Sequence, residues 1–166
     1  MPKRSTATVR EQPVAAVASA SGTFHVRSET FTIDTHARLE IQDLTERVMA
    51  IVRAMDVREG LAHVFSMHTT CTLVINEHQK ALLEDMTAYL QAAVDAKASW
   101  LHNDPRLSDC DRQNADAHLR ALLLGHSVTL QVHAGEVVLG QWQRILCAEL
   151  DGPRTRTIRV SVMGIS

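Results

Sequence analysis

A chain of 166 residues, 45% hydrophobic and 22% charged, can bury a real core as one soluble globular domain, and this composition excludes extended disorder. The formal charge is −2 with Lys and Arg spread along the chain, which excludes the basic footprint needed to wrap a phosphate backbone, so no nucleic acid partner is expected. No stretch approaches the roughly 18 apolar residues of a membrane span, so no membrane partner is expected either.

Residues 1–22 are rich in Ala, Ser, Thr, Val and Pro without a period and read as a flexible N-terminal extension, with the domain proper over 23–166. Lys3 and Arg4 ahead of Val14 to Ala20 have the outline of a signal peptide. The apolar part is short, lacks Leu, Ile and Phe, and follows Glu11, Gln12 and Pro13, so a cytoplasmic protein is expected. Cys71, Cys110 and Cys147 form no CxxC pair or finger-like spacing, and reduced thiols in that compartment fit them best.

Phe24, Val26, Phe31 and Ile33 alternate as in a strand. Ile41, Leu44, Val48, Ile51, Val52 and Met55 recur at three and four, predicting a helix over 43–55 with Asp43 as N-cap. Leu61 to Ile75 is strand-like with a break near Thr69 and Thr70, and Leu82, Leu83, Met86, Leu90 and Val94 mark a second helix. Residues 96–113 are a polar loop longer than most connections, a length often associated with function. A third helix over 114–124 stops at Gly125. Strands follow around Val128 to Val132, Val137 to Leu139, Arg144 to Leu150 and Thr157 to Met163, giving an α+β pattern.

The chemistry concentrates in the run His68-Thr69-Thr70-Cys71, which leads through an apolar strand to Asn76-Glu77-His78. His68, at a strand end beside two hydroxyls, suits a general base or a ligand, or merely a backbone bond. Cys71 invites a nucleophile reading, but a buried cysteine is usually a packing residue and nothing in the sequence marks an activated thiol. Asn76 and Glu77, between strand and helix, suit either capping or catalysis, with Glu77 the stronger catalytic choice. His102 opens the long loop, and Asn114 and His118, four apart, share a helix face. With His68 these imidazoles are candidate ligands for a divalent cation such as Mg or Zn, although their spacing matches no zinc signature. Trp142 and Gln143 suit either core packing or contact with a flat ring, and Arg154, after the Asp151-Gly152-Pro153 turn, can face an anion.

Three patterns taken together resemble the YjbQ family: His68-Thr-Thr-Cys-x-x-x-x-Asn76-Glu77, then Asn114-Ala-Asp-Ala-His118-Leu, then Ser127-x-x-Leu130-x-Val132-x-x-Gly135-x-x-x-x-Gly140-x-Trp142-Gln143. The likeness covers about residues 23–164. It implies a single α+β domain with a β-sandwich-like sheet core and about three helices, assembled as a homotrimer. It also implies a secondary thiamine-phosphate synthase activity that joins hydroxymethylpyrimidine diphosphate to thiazole phosphate and releases pyrophosphate. By motif, His68, Glu77 and His118 fall in catalytic roles. Asn76, His102, Asn114, Gln143, Glu149, Asp151 and Arg154 fall in binding a phosphorylated small molecule. Cys71 stands where members often carry a small non-thiol residue, which further weakens a cysteine nucleophile. Two alternatives stay open: a metal-dependent hydrolase or lyase using the three histidines, and a non-enzymatic trimeric protein that binds a phosphorylated metabolite.

Overall fold

The computed structural model describes residues 19–166. The elements are β1 (Phe24–Asp34), β2 (Glu40–Asp43), α1 (Thr45–Ala54), β3 (Glu59–Ser66), β4 (Cys71–Asn76), α2 (Lys80–Ala93), α3 (Ala115–Leu124), β5 (Ser127–His133), β6 (Glu136–Val137), β7 (Arg144–Glu149) and β8 (Thr155–Ile165). A 3-10 turn, Leu101–Asn103, sits in the long loop before α3. Most of the expected extension, residues 1–18, lies outside the described residues.

The strands form two antiparallel sheets, one of order β1-β8-β3-β5-β6 and one of order β2-β7-β4. In β8, Arg156, Ile158, Val160 and Val162 point inward while their neighbours face out, the alternation a half-buried strand requires. Ala62 and Val64 of β3 and Leu130 and Val132 of β5 join them in the larger core, to which Ile145 and Cys147 of β7 contribute from the other sheet. The next residues, Ala148 and Leu150, turn to a second core under α2 and α3 with Leu90, Ala117 and Ala121. Burial on both faces is why Ile145 to Leu150 is a nearly unbroken apolar run.

The α+β class and, among the described residues, the three α-helices match the expectation. The helix expected over 43–55 begins later: Ile41 lies in β2, where hydrogen bonding to β7 outweighs its helical spacing. Asp43 still serves the helix start, accepting a hydrogen bond from the Thr45 N–H at 2.9 Å, with Leu44 in the cap position. Asn76 and Glu77 do not cap α2; Gln79 does, its Oε1 accepting from the Leu82 N–H at 2.8 Å. Gly125 closes α3 with φ +82°, a conformation that disfavours a Cβ. No helix among the described residues is long and apolar enough to cross a membrane.

Candidate functional site

Three segments meet at one end of the three-stranded sheet: the β3–β4 link, the β7–β8 link, and the approach to α3. Backbone hydrogen bonds fix the meeting, with the Leu150 N–H donating to the Thr70 carbonyl at 3.1 Å and the Met67 N–H to the Thr157 carbonyl at 3.1 Å. At Gly152 a Cβ would overlap the Ala37 carbonyl oxygen and the Glu149 side chain, so only glycine lets the β7–β8 link pass. The segments enclose a cavity of about 370 Å³ lined by His68, Thr69, Thr70, Arg112, Asn114, His118, Asp151, Arg154 and Arg156, with Met67 at its edge.

Asp151 organises the cationic side of this cavity. It is fully buried and receives the Arg112 Nε–H at 2.8 Å and the Asn114 amide at 2.8 Å, while the guanidinium of Arg154 stands 3.4 Å away and that of Arg38 3.5 Å. Burial opposes its charge, but the hydrogen bonds from Arg112 and Asn114 prevail and hold the carboxyl below the usual aspartate range. Asn103, from the long loop, accepts the Ala115 N–H at 3.0 Å and ties that loop to the start of α3. Beneath, Arg156 is paired with Glu149, both almost fully buried, and also donates to the Thr70 hydroxyl at 3.0 Å. Thr35 donates its hydroxyl to Glu149 at 3.1 Å and the Asp151 N–H donates to the same carboxylate at 2.7 Å. Burial and the attraction to Glu149 oppose each other at Arg156, and the pair holds its guanidinium more firmly protonated than usual.

The two histidines at the cavity differ. His68 accepts the Thr157 N–H at Nε2, 2.7 Å away, so its neutral ring carries the proton on Nδ1. Burial first, then the charges of Arg156 and Arg154, push its pKa down against the pull of Glu149. His118 lies edge to face with His102, ring centroids 5.0 Å apart. Burial and then His102 lower its pKa, against the opposing effect of Asp151. Both imidazoles are therefore neutral near pH 7.

Of the residues predicted from sequence, His68, Asn114, His118, Asp151 and Arg154 line this cavity, with Glu149 directly behind it and His102 against His118. Asn76, Glu77 and Gln143 are elsewhere. Cys71 pairs with Glu149 at the cavity end of β4 and Asn76 with Arg144 at the opposite end, a separation of about 16 Å at roughly 3.3 Å per strand residue. Gln143 closes a local turn there, its Oε1 accepting the Gly140 N–H at 2.7 Å, and Trp142 is exposed. Asn76 accepts the Glu77 N–H at 2.8 Å.

His68, His102 and His118 do not converge as metal ligands: Thr157 takes the His68 Nε2 lone pair, and His102 and His118 meet by ring edge and face. Among the described residues no group of three His, Cys, Asp or Glu side chains is placed to hold a metal ion. Cys71 is buried with its Sγ 3.2 Å from Cys147, facing the core, consistent with a packing role.

Sequence reasoning missed Arg38, Arg112 and Arg156, and also Asp116, which joins Arg38 at 2.9 Å to the buried Arg120 at 2.6 Å. Arg156 left a readable signal, a charge in the inward phase of an alternating strand.

A family model described as UPF0047 protein YjbQ-like matches residues 29–165. A UPF0047 protein of Methanothermobacter thermautotrophicus is 42% identical over 139 residues, covering 84% of this chain and 93% of that protein. One of Archaeoglobus fulgidus is 44% identical over 132 residues, covering 80% and 98%. The crystal structure of a YbjQ-like protein of unknown function from Sulfolobus solfataricus superposes with TM-score 0.79 at 34% identity, covering 86% of this chain and 99% of that one. The matched span includes every residue that lines the cavity, and the chain belongs to the UPF0047 YjbQ-like family.

Proposed function

We propose that the cavity binds the phosphate or diphosphate end of a small metabolite and promotes cleavage of the bond to it, the secondary thiamine-phosphate synthase reaction being the specific case the family resemblance implies. The observation that carries this reading is the grouping of Arg112, Arg154 and Arg156 with His68, His118 and Asn114 around one cavity. Guanidinium groups fixed by Asp151 and Glu149 are preorganised donors for phosphoryl oxygens and need no rearrangement as charge develops.

In that reaction the carbon–oxygen bond to the diphosphate breaks and its electron pair leaves with pyrophosphate. The pyrimidinylmethyl carbon is left as a delocalised cation, and the thiazole nitrogen lone pair closes the new bond to it. Stabilising the leaving group then matters more than supplying a nucleophile. Arg112 and Arg154 take the diphosphate oxygens and His118 donates a ring N–H to them. Arg156 adds positive potential from behind while staying bound to Glu149. Glu77 and Gln143 have no part in this arrangement within one chain. A homotrimer in the cytoplasm is the assembly and compartment proposed with it, from the resemblance and the three free thiols.

The test is pyrophosphate release and thiamine-phosphate formation by wild type, Arg154→Ala, His118→Ala and Glu77→Ala, each with and without added divalent cation. Loss of at least about tenfold in the first two variants and not in the third is expected. Full turnover in Arg154→Ala overturns the reading. Pyrophosphate binding without turnover makes the protein a metabolite-binding module.

A further inference from the structure

Packing explains one buried thiol, but not why two of them touch. Cys71 on β4 and Cys147 on β7 are both almost wholly buried, and their Sγ atoms stand 3.2 Å apart. The two strands are hydrogen-bonded neighbours in which Cys71 lies opposite Glu149 and Leu73 opposite Cys147. The thiols are therefore a diagonal pair on one face of the sheet, a spacing that side chains can bridge. A disulfide holds its sulfur atoms at about 2.05 Å, only about 1 Å closer than they already stand. The third thiol, Cys110, has a separate partner in the Asn114 amide oxygen at 3.5 Å.

The two thiols are not equivalent. The hydrogen bond with Cys147 brings the Cys71 pKa down against the effect of burial, and the buried Ser66 hydroxyl acts in the same sense. The same contact, with burial, pushes Cys147 up, so Cys71 is the member that ionises and Cys147 the one that keeps its proton. Cys71 directly follows Thr69 and Thr70, which line the cationic cavity, so the route from there for a small reagent is short.

We propose that Cys71 and Cys147 are a modification site at which a peroxide closes a cross-strand disulfide within the folded domain. The Cys71 thiolate attacks one peroxide oxygen, the O–O bond breaks, and the other oxygen takes a proton and leaves as water. The Cys147 sulfur then attacks the resulting sulfenic acid, the S–O bond breaks, and the hydroxyl leaves with the Cys147 proton as a second water. The two thiols lose two protons and two electrons, and the peroxide takes up both. The link fastens the first residue of β4 to β7 beside Thr70, whose carbonyl accepts the Leu150 N–H at 3.1 Å and whose hydroxyl accepts from Arg156 at 3.0 Å. The redox state of the core thereby reaches the cavity wall, whatever the cavity binds.

The test exposes reduced, folded full-length protein and its Cys110→Ala variant to hydrogen peroxide in native buffer. Each is then denatured in iodoacetamide and mapped by mass spectrometry. Oxidised wild type should lose two hydrogens and take up one alkyl group, on Cys110, where the reduced protein takes up three. The variant should fall from two alkyl groups to none, and dithiothreitol should restore both counts. The oxidised protein should also unfold at a higher urea concentration, because the link joins residues 76 apart in the unfolded chain. If Cys110→Ala fails to fold, the wild-type map still identifies the linked peptides. Full alkylation after peroxide, a link through Cys110, or oxygen retained on Cys71 without a bond to Cys147 overturns the proposal.

Discussion

Arg156 on β8 and Glu149 on β7 form a buried ion pair that joins the two sheets, since β8 belongs to the five-stranded sheet and β7 to the three-stranded one. Glu149 is satisfied further by Thr35 and the Asp151 backbone, and Arg156 by Thr70, so each charge is fully paired. Removing one partner strands the other. Glu149→Ala should lower stability by about 3 kcal/mol or more, read as a fall in the urea midpoint. The double change Glu149→Met with Arg156→Met should recover much of that loss. A midpoint for Glu149→Ala within experimental error of wild type would refute the bridge.

The lowered pKa values of His68 and His118 set the sign of an acid effect. The unfolded chain takes up protons near pH 6.5, whereas the folded chain takes them up only at lower pH. Their contribution is complete above about pH 6.5 and declines as pH falls from there to the folded values. Protonation of His68 also sets two donors, Nε2–H and the Thr157 N–H, against each other. Urea midpoints should therefore drop between pH 7.5 and 5.5, and His118→Gln should flatten that slope. The carboxylates held low, Asp43 and Asp151 among them, lose their contribution only as pH falls below about 4.

Arg120 holds two helices together. Its guanidinium donates to the Leu90 carbonyl at 2.7 Å and the Val94 carbonyl at 2.8 Å, at the C-terminal end of α2, while Asp116 pairs with it from one turn earlier in α3. Arg120→Met leaves those carbonyls without their donor and the buried Asp116 with Arg38 as its remaining cation, at a cost of about 3 kcal/mol. Amide hydrogen exchange should quicken over the last turn of α2 more than over β7. Uniform quickening would show that the arginine serves the whole domain instead.

Cys71→Ala separates packing from chemistry. The thiol is buried against Cys147, so truncation should cost about 1 kcal/mol and leave phosphate affinity within about twofold of wild type. A loss of ligand binding or turnover in a folded Cys71→Ala protein would restore the thiol to the mechanism.

Most strands and helices were legible because their apolar periods are clear, as in β8 and α2. β2 was hidden because Ile41 is spaced as a helical residue and only pairing with β7 makes it a strand. In the site, the His68 and Asn114-to-His118 groups were found by their chemistry. Asn76 and Glu77 share the His68 motif, yet β4 carries them away from the cavity along its own length, and Gln143, from the third pattern, lies at that far end beside Arg144. Arg112 and Arg38 could not be read at all. Neither has a distinctive neighbour in sequence, and their role comes from a carboxylate, Asp151, that is remote along the chain.

The three free thiols differ in a way that makes the protein its own gauge of opening. Cys110, half-buried beside the cavity loop, is within reach of a thiol reagent in the native state, whereas Cys71 and Cys147 lie between the sheets. A single fast labelling event followed by a slow pair would time the parting of β4 and β7 from the five-stranded sheet, without any probe having been introduced.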